Sequence, residues 1–428
     1  MRGMHAIVLT GICLFFCSYS AHAQGESAVP FLLITPSIDG NGMGGIGTSV
    51  GSDNATAPMQ NPGQLGLFSL HGFFNAAFYT PKTDWLPEFN ISGLTYDAWA
   101  LNAAININDF VDLPFRLSLG AGYSQVDLDL GRFAVTSSQG PQVISYFDAW
   151  EKSKNVTFGI GFDYVIKMSA GITFKSIESQ LSPIGTESEQ GDGKASVSAR
   201  DYGIMALVPL PDVIEAASGV SLESVPKLRP LGDIGFGYAR SNVGGSVVYL
   251  AAAQSDPLPR QAAIGTYFEV GTISTVINPG WKPLSFMIVR EAEDILVNRR
   301  DNGTWEYTTG LGDIRFIDNV LLGKASPTIG LRRGWQLQVG EALYIRGGSV
   351  DSPGLQYETS GYTLRLGGIF KMIMVISPEM RESGWFRALA DLLDFQYTSA
   401  TYSNTSSPIR DTSFKGINIV IRSIPFME

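Results

Sequence analysis

The stretch TFGIGFDYVI, residues 157–166, has large apolar side chains at every second position and small or polar residues between them. Side chains of a β-strand point alternately to opposite faces, so this stretch has one apolar face and one small or polar face. The same alternation occurs in FRLSLGAGYS, residues 115–124, and in YTLRLGGIFKM, residues 362–372. Period-two alternation over about ten residues predicts half-apolar β-strands rather than helices.

Two architectures produce such strands. A soluble β-sandwich, as in a secreted β-rich enzyme or adhesin, buries the apolar faces in a shared core. A transmembrane barrel turns them outward to lipid, with strands of about 9 to 11 residues flanked by aromatic side chains. The lengths and aromatic ends of these strands favour the barrel. No run of 18 or more apolar residues follows the N-terminal region, so membrane-spanning helices are not expected.

Roughly fifteen strands are predicted along the chain, with the boundary error usual for one sequence. The candidate ranges are 68–79, 92–107, 115–127, 156–166, 168–178, 196–208, 231–240, 245–252, 262–271, 283–290, 313–322, 327–332, 335–348, 357–373, 391–402 and 414–424. Connections near the start alternate between long and short, as in outer-membrane barrels. Residues 209–230 interrupt this alternation as a partly helical insertion, residues 378–393 predict a short amphipathic helix, and residues 128–155 and 179–195 predict long partner-contacting loops.

The N-terminus, MRGMHAIVLTGICLFFCSYSAHAQ, has a basic start, a short apolar run and small residues at Ala21 and Ala23. This order predicts a secretory signal over residues 1–23. Cys13 and Cys17 both lie within it, so the mature chain is expected to have no disulfide and no thiolate site. His71 is then the remaining histidine of the mature chain, and its apolar surroundings favour a structural role over catalysis.

The chain has 30 basic and 40 acidic residues, and loss of Arg2 with the signal leaves 29 against 40. An acidic exported chain is a poor nucleic-acid binder, since that function needs clustered Lys and Arg. The acidic run Glu291, Glu293 and Asp294 is interpreted as solvated surface. No spacing of residues identifies a catalytic, cofactor or metal site, and the protein is predicted not to be an enzyme.

Residues 42–47, GMGGIG, match the GxGxxG pattern of dinucleotide-binding loops. That function requires a strand directly before the first glycine, a helix after the last and an acidic residue about twenty positions on. Here TPSIDGN interrupts the preceding apolar run, and TSVGSDNATAPMQNPGQ, which follows, is too rich in turn residues for a long helix. The motif is therefore not interpreted as a nucleotide site.

The segment VPFLLITPSIDGNGMGGIGTSVGSDNATAPMQNPGQLGLF resembles the N-terminal region of the PorV/PorQ proteins, relatives of the FadL-type channels of the bacterial outer membrane. The matching elements are residues 31–36, Gly42-Met43-Gly44, GTSVGSDNATA and Asn61-Pro62. Segments of similar character recur to residues 414–421, so the resemblance covers nearly the whole mature chain. Gln60 and Gly63 depart from the tryptophan and alanine that usually flank Asn-Pro in the family.

The resemblance implies an all-β, transmembrane antiparallel barrel of about fourteen strands whose N-terminal segment folds into the lumen as a hatch. The expected layout is a signal peptide at 1–23, a hatch at 24–66 and a barrel at 67–428. Gly42, Gly44, Gly47, Asn61 and Pro62 would then be structural residues of the hatch, where glycine permits close backbone packing.

The functional expectation that follows is an outer-membrane protein of type IX secretion or surface assembly, with translocon components, secreted cargo and membrane lipid as partners. The alternative is a FadL-like channel for fatty acids or other hydrophobic molecules, which would have an apolar pocket inside the barrel and a wall opening beside the hatch. No cofactor and no nucleic acid is expected in either case.

Overall fold

The structure is a computed structural model, and it describes residues 27–136, 140–182, 193–223, 227–249, 255–277, 280–300, 304–403 and 409–422. The predicted signal peptide lies outside the described residues. The main sheet has fifteen strands, of which the two-residue strand Thr83–Asp84 only extends one edge, and the other fourteen form a closed antiparallel barrel. The barrel strands are β1 Gly72–Tyr79, β2 Leu94–Asn106, β3 Arg116–Thr136, β4 Val143–Asp163, β5 Lys167–Ser182, β6 Gly193–Pro209, β7 Leu228–Gly244, β8 Gln261–Ser274, β9 Trp281–Ile295, β10 Ile329–Val339, β11 Leu343–Ser352, β12 Leu355–Arg365, β13 Leu393–Ser403 and β14 Ser413–Arg422.

The barrel closes through β1, which pairs with β14 on one side and with β2 on the other. Closure gives each barrel strand a neighbour on both sides and leaves no free sheet edge around the closed part of the barrel, as a membrane requires. The sequence-based prediction of an all-β antiparallel barrel of about fourteen strands is confirmed.

The apolar faces of the strands point away from the lumen. Leu119, Phe158 and Ile204 expose 42%, 48% and 55% of their surface, whereas their neighbours Ser118 and Thr157 face inward and are buried. A soluble sandwich would bury the large apolar side chains, so the alternative of a secreted β-sandwich is wrong. This outward apolar surface is the lipid-facing wall of a membrane barrel.

Six α-helices accompany the barrel in the described residues. They are α1 Ile38–Asn41, α2 Gly63–Ser69, α3 Leu210–Ser218, α4 Leu366–Ile376, α5 Pro378–Glu382 and α6 Gly384–Leu392. Within the described ranges, none of the helices has the length and apolar character needed to cross a membrane.

The two ends of the barrel differ. One end has the short connections 107–115, 164–166 and 340–342 together with α3 to α6, and we call it the turn end. The other, the loop end, has longer connections such as 80–93 and 296–328. In outer-membrane barrels the short turns face the periplasm, so the loop end corresponds to the cell surface.

Several local predictions are wrong, among them the strand 335–348, which spans the turn between β10 and β11. Residues 128–155 do not form a long loop, because β3 continues to Thr136 and β4 already begins at Val143. Residues 357–373 are a strand only to Arg365, after which α4 begins. Residues 313–322 contain a π-helical turn, Phe316–Leu321, in place of a strand.

Candidate functional site

The lumen of the barrel is occupied by residues 27–70, which we call the hatch. Helix α2 of the hatch packs against β4 and β5 and also contacts β3 and β6, whereas α1 contacts β12, β13 and β14. At the loop end, Val29 and Phe31 pack in a cluster with inward aromatic residues, among them Tyr96 and Phe414. The hatch therefore touches the wall on opposite sides and reaches from the loop end to the start of β1.

Inward-facing glycines line the wall where it meets the hatch, and we call them the glycine girdle. They are Gly120, Gly159, Gly161, Gly171, Gly203, Gly237, Gly265, Gly334, Gly348, Gly361 and Gly416. A Cβ atom at Gly159 would lie 2.6 Å from the amide nitrogen of Gly66, and one at Gly334 would lie 2.5 Å from the carbonyl oxygen of Met43. These distances leave no room for a side chain, so glycine is what allows the wall and hatch backbones to touch.

The glycine motif of residues 42–47 does end in an anion-binding turn, but the anion belongs to the protein. The amides of Gly47, Thr48 and Ser49 donate to the Glu291 carboxylate at 3.2, 2.9 and 2.7 Å. The Ser49 hydroxyl adds a fourth bond at 2.8 Å. Successive main-chain amides form a concavity that suits an anion. Here the anion is the Glu291 carboxylate of β9 in the wall. The interpretation of Glu291 as solvated surface is therefore wrong.

Arginine side chains of the wall also bind the hatch. Arg332 donates to the carbonyl of Gly45 at 2.5 Å and to the hydroxyl of Thr35 at 3.0 Å. Arg346 pairs with Asp39 at 3.3 Å, and Arg365 pairs with Asp53 at 3.0 Å. Removing one partner of a buried charge pair costs about 3 to 5 kcal/mol in general, so the ion pairs of Arg346 and Arg365 resist displacement of the hatch.

Asn61 and Pro62 lie at the contact between hatch and wall. The Asn61 side-chain amide donates to the carbonyl of Thr48 at 2.6 Å and to the carbonyls of Ile204 and Tyr238 at 3.3 Å. Its carbonyl oxygen accepts from the amide of Gly63 at 2.9 Å, which begins α2. Asn61 thus joins two parts of the hatch to two neighbouring strands, β6 and β7.

His71 follows α2 and has a structural partner. Its Nε2 lies 2.7 Å from a carboxylate oxygen of Asp53. Burial raises the pKa of the Asp53 carboxyl, but His71 and Arg365 more than offset that effect, and the pKa lies well below its usual range. Asp53 is therefore held as a carboxylate that joins the hatch to the wall.

A small space lies between hatch and wall. One polar cavity of about 50 Å³ lies between them, with Gln60, Lys175, Glu293 and Arg332 in its lining. A cavity of this size has room for a few water molecules. In the part of the chain that the structure describes, no group of three or more His, Cys, Asp or Glu side chains is placed to hold a metal ion.

A segment of the loop end folds back over the outside of the barrel. We call residues 308–324 the strap. Its Ile314 and Val320 pack on Ala292 and Leu331, whose side chains point outward from β9 and β10. The amide of Asp313 donates to the outward carboxylate of Asp294 at 2.7 Å. In the strap itself, the hydrogen bond and charge of Lys324 lower the pKa of the Asp318 carboxyl.

Two large depressions lie on the outer wall, one on each side of the strap. The first, which we call the apolar groove, has a volume of about 610 Å³. Its sides are formed by outward residues, and its floor includes the inward residues Met205, Gly237 and Gly265. The main lining side chains are Leu117, Ile160, Phe162, Met168, Ile204, Phe236 and Phe316.

The second depression, which we call the arginine groove, has a volume of about 1090 Å³. Its lining combines Phe268, Phe286, Ile288 and Trp335 with the charged side chains Arg290, Arg333 and Glu358. The apolar members of this lining lie nearer the turn end, and the charged members lie nearer the loop end.

The five residues predicted for the hatch, Gly42, Gly44, Gly47, Asn61 and Pro62, all lie between α1 and α2 or at their ends, in the lumen. Glu291, Arg332 and Arg346 were not predicted as site residues. Glu291 lies one residue beyond the predicted end of its strand, 283–290. The strand alternation was therefore not extended to it, and its position facing the lumen was not predicted. The apolar space expected inside the barrel is found on its outer wall.

These features define a membrane β-barrel of the outer-membrane type whose lumen is closed by its own N-terminal segment. No family model and no curated protein matches the chain. Among solved structures, the toluene transporter TbuX of Ralstonia pickettii is similar with a TM-score of 0.38 and 13% identity, over 91% of this chain and 97% of that one.

The monoaromatic hydrocarbon channel CymD has a TM-score of 0.35 and 12% identity, over 90% of this chain and 95% of its own. A FadL homologue of Pseudomonas aeruginosa has a TM-score of 0.34 and 11% identity, over 91% and 98% of the two chains. Similarity at this level does not tell what this chain binds, so its function is argued from its own residues.

Proposed function

We propose that this barrel is a gated outer-membrane passage for hydrophobic small molecules, which enter from the lipid side through the apolar groove. The observation that carries the proposal is the position of the groove. Its floor includes Gly237 and Gly265, and the hatch residues Thr48 and Ser49 lie directly behind these two glycines. A single layer of main chain therefore separates a lipid-facing groove from the hatch.

The lining of the groove suits an apolar ligand. Ile160, Ile204 and Phe236 are exposed on its sides, and Phe316 of the strap borders it. Removal of apolar surface from water yields about 25 cal/mol per Å², so hydrophobic molecules concentrate in the bilayer and reach the wall by lateral diffusion. The role is non-enzymatic and requires no cofactor.

Gating would involve Asn61, because its side-chain amide binds carbonyls of the strands that form the groove. Ile204 and Tyr238, whose carbonyls accept these bonds, also line the groove. A shift of the hatch that broke these bonds would free two carbonyls and open space behind the glycine girdle. Passage is thus coupled to movement of the hatch rather than to a permanent pore.

The proposal is tested with a disulfide bond that fixes the hatch to the wall. The hydroxyl oxygens of Ser69 in α2 and Ser118 in β3 lie 2.7 Å apart, and the cysteines of the chain lie in the predicted signal. The double variant S69C/S118C can therefore form a single disulfide. We expect oxidation to lower uptake of radiolabelled oleate or of a monoaromatic hydrocarbon by cells with this barrel as their sole such channel, and reductant to restore it.

Each single cysteine variant is the control and should be insensitive to oxidant. Equal uptake by the oxidised and reduced double variant would contradict passage past the hatch. A second variant, Ile204→Trp, fills the groove from the lipid side and should lower uptake without altering the hatch. Ile105→Trp is its matched control, because Ile105 is also exposed on the outer wall but lies outside the groove lining.

Protein export of the PorV/PorQ type is a second candidate, favoured by one feature of the loop end. Residues 131–136 and 143–149 extend β3 and β4 beyond their other neighbours and, among the strands that the structure describes, pair only with each other. This projecting hairpin carries the stacked rings of Phe133 and Phe147, 5.6 Å apart, and exposes Ile144 and Tyr146. Capture of the native protein with translocon components or secreted cargo would support this role over uptake.

A further inference from the structure

Two arginines face the membrane side by side on the outer wall. Arg290 of β9 and Arg333 of β10 are directly opposite each other in the ladder, and both side chains are exposed. Directly opposed side chains have Cβ atoms about 4.5 to 5.5 Å apart, and like charges there are destabilising. The pair therefore needs compensation by an anion or by hydrogen-bond acceptors.

The strap supplies part of that compensation. Arg290 donates to the carbonyl of Leu321 at 2.8 Å, and Arg333 donates to the carbonyl of Gly323 at 2.9 Å. A Cβ atom on Gly323 would lie 3.5 Å from a terminal nitrogen of Arg290 and 3.6 Å from one of Arg333. The two guanidinium groups thus converge on one place beside Gly323, and two neutral carbonyls leave both positive charges in place.

Within the described residues, nearby acidic groups do not neutralise the pair. The outward row that contains the arginines runs from Thr266 through Arg290, Arg333 and Ser349 to Glu358. Glu358 lies two strands from Arg333, which corresponds to about 10 Å. Asp318 of the strap is bound to Lys324 at 2.8 Å. The site therefore has a net positive charge and suits a dianionic or anionic oxygen group.

The next outward row toward the turn end is apolar. It runs from Phe268 through Ile288 to Trp335, and Phe286 lies one further row below. The change from an apolar to a charged row marks the level at which hydrocarbon gives way to headgroups. An arginine at this level can keep its guanidinium among lipid phosphates while apolar side chains contact the acyl chains.

We propose that the arginine groove is a binding site for a phosphate-headed lipid of the leaflet at the loop end. The phosphate would bind the guanidinium groups of Arg290 and Arg333, whose forked donors match phosphate oxygens. The acyl chains would lie along Phe268, Ile288 and Trp335. The occupant is a lipid rather than free phosphate, because the charged and apolar parts belong to one continuous groove of about 1090 Å³.

The test measures lipid binding to the full-length barrel in detergent by native mass spectrometry. The probe is phosphatidic acid, and the matched lipid control is diacylglycerol with the same chains. We expect wild type to bind phosphatidic acid at least tenfold more tightly than diacylglycerol. The double variant R290Q/R333Q should lose at least tenfold in affinity for phosphatidic acid, whereas R200Q, which removes another exposed outward arginine, should not.

A second variant keeps the test valid where R290Q/R333Q does not fold. Trp335→Ala leaves both arginines and their strap contacts in place and should weaken phosphatidic acid binding severalfold. Equal binding of phosphatidic acid by wild type and by these variants would overturn the proposal. Equal binding of phosphatidic acid and diacylglycerol by wild type, or displacement of the lipid by an equal concentration of inorganic phosphate, would overturn it as well.

Discussion

Gly44 and Gly354 have nearly the same backbone conformation, with φ of +78° and +76°, but different surroundings. A Cβ atom at Gly44 would lie 2.7 Å from the carbonyl oxygen of Arg333 and 2.9 Å from that of Ser349. At Gly354, in the turn between β11 and β12, nothing lies within 4 Å. Comparing the two glycines therefore separates the free-energy cost of a left-handed backbone from that of close packing.

Valine at these two positions should therefore have different effects. Gly354→Val adds backbone strain of about 1 to 3 kcal/mol, whereas Gly44→Val adds that strain and overpacking of about 1 to 3 kcal/mol more. We expect Gly44→Val to unfold at lower urea concentration than Gly354→Val, as measured by heat-modifiable gel mobility. Equal unfolding midpoints would show that the hatch is not tightly packed against the wall at Gly44.

Single residues differ in how far the sequence reveals them. Gly44 and Asn61 are expected as hatch residues because the resemblance of their segment to PorV/PorQ proteins implies that role, with the glycine cluster and Asn-Pro among the matching elements. Glu291 cannot, since its partners Gly47, Thr48 and Ser49 lie more than 240 positions away in the chain. A buried glutamate and a solvated glutamate look the same in the sequence, and only the fold distinguishes them.

Helices and strands also differ in whether local sequence or distant contacts determine them, and only the first kind can be predicted from the sequence. Period-two alternation predicts most strands, because the wall has one lipid face and one lumen face. It fails in LGGIFKMIMVI, residues 366–376, which forms α4: both faces of this segment are apolar or small, and its helical state depends on contacts with β13 and α6. The full length of β3 and β4 is not predicted either, because the projecting hairpin has adjacent apolar residues and lacks the period-two alternation of a wall with one lipid face.

The projecting hairpin should be dispensable for the barrel. Residues 131–136 and 143–149 pair with each other and with no other strand of the described part of the chain. Replacing residues 133–147 by a short Asn-Gly turn should leave the urea midpoint unchanged within error, because the deleted hydrogen bonds are internal to the hairpin. Loss of heat-modifiable mobility would show that the hairpin supports the barrel.

The same deletion separates the two candidate functions. Uptake of hydrophobic molecules depends on the apolar groove and the hatch, so it should persist without the hairpin tip. An export role would lose its exposed aromatic surface, and capture of cargo or translocon components should then fall.

At the scale of the whole molecule, the glycine girdle and the buried charges act together. Glycines on the wall let the hatch come close enough for direct hydrogen bonds, and Glu291, Arg332, Arg346 and Arg365 supply groups that bind it there. Neither feature would close the lumen alone, since small residues without polar partners would leave a loosely held segment. The barrel is therefore expected to conduct few ions in its resting state.

Replacement of Glu291 by glutamine tests this closure. Glutamine has almost the same shape but carries no charge. Its side-chain oxygen can still accept from the amides of Thr48 and Ser49, whereas its NH₂ cannot accept the bond that the amide of Gly47 now donates to the second carboxylate oxygen. Each unsatisfied buried donor costs about 1 to 3 kcal/mol, so the hatch should be displaced more often. We expect Glu291→Gln to raise the frequency of open events in planar bilayers, while Glu358→Gln, a change on the outer wall, leaves it at the wild-type value. If the two variants conducted alike, closure would depend on packing by the glycine girdle and the arginine contacts, and the anion-binding turn at residues 47–49 would serve folding rather than gating.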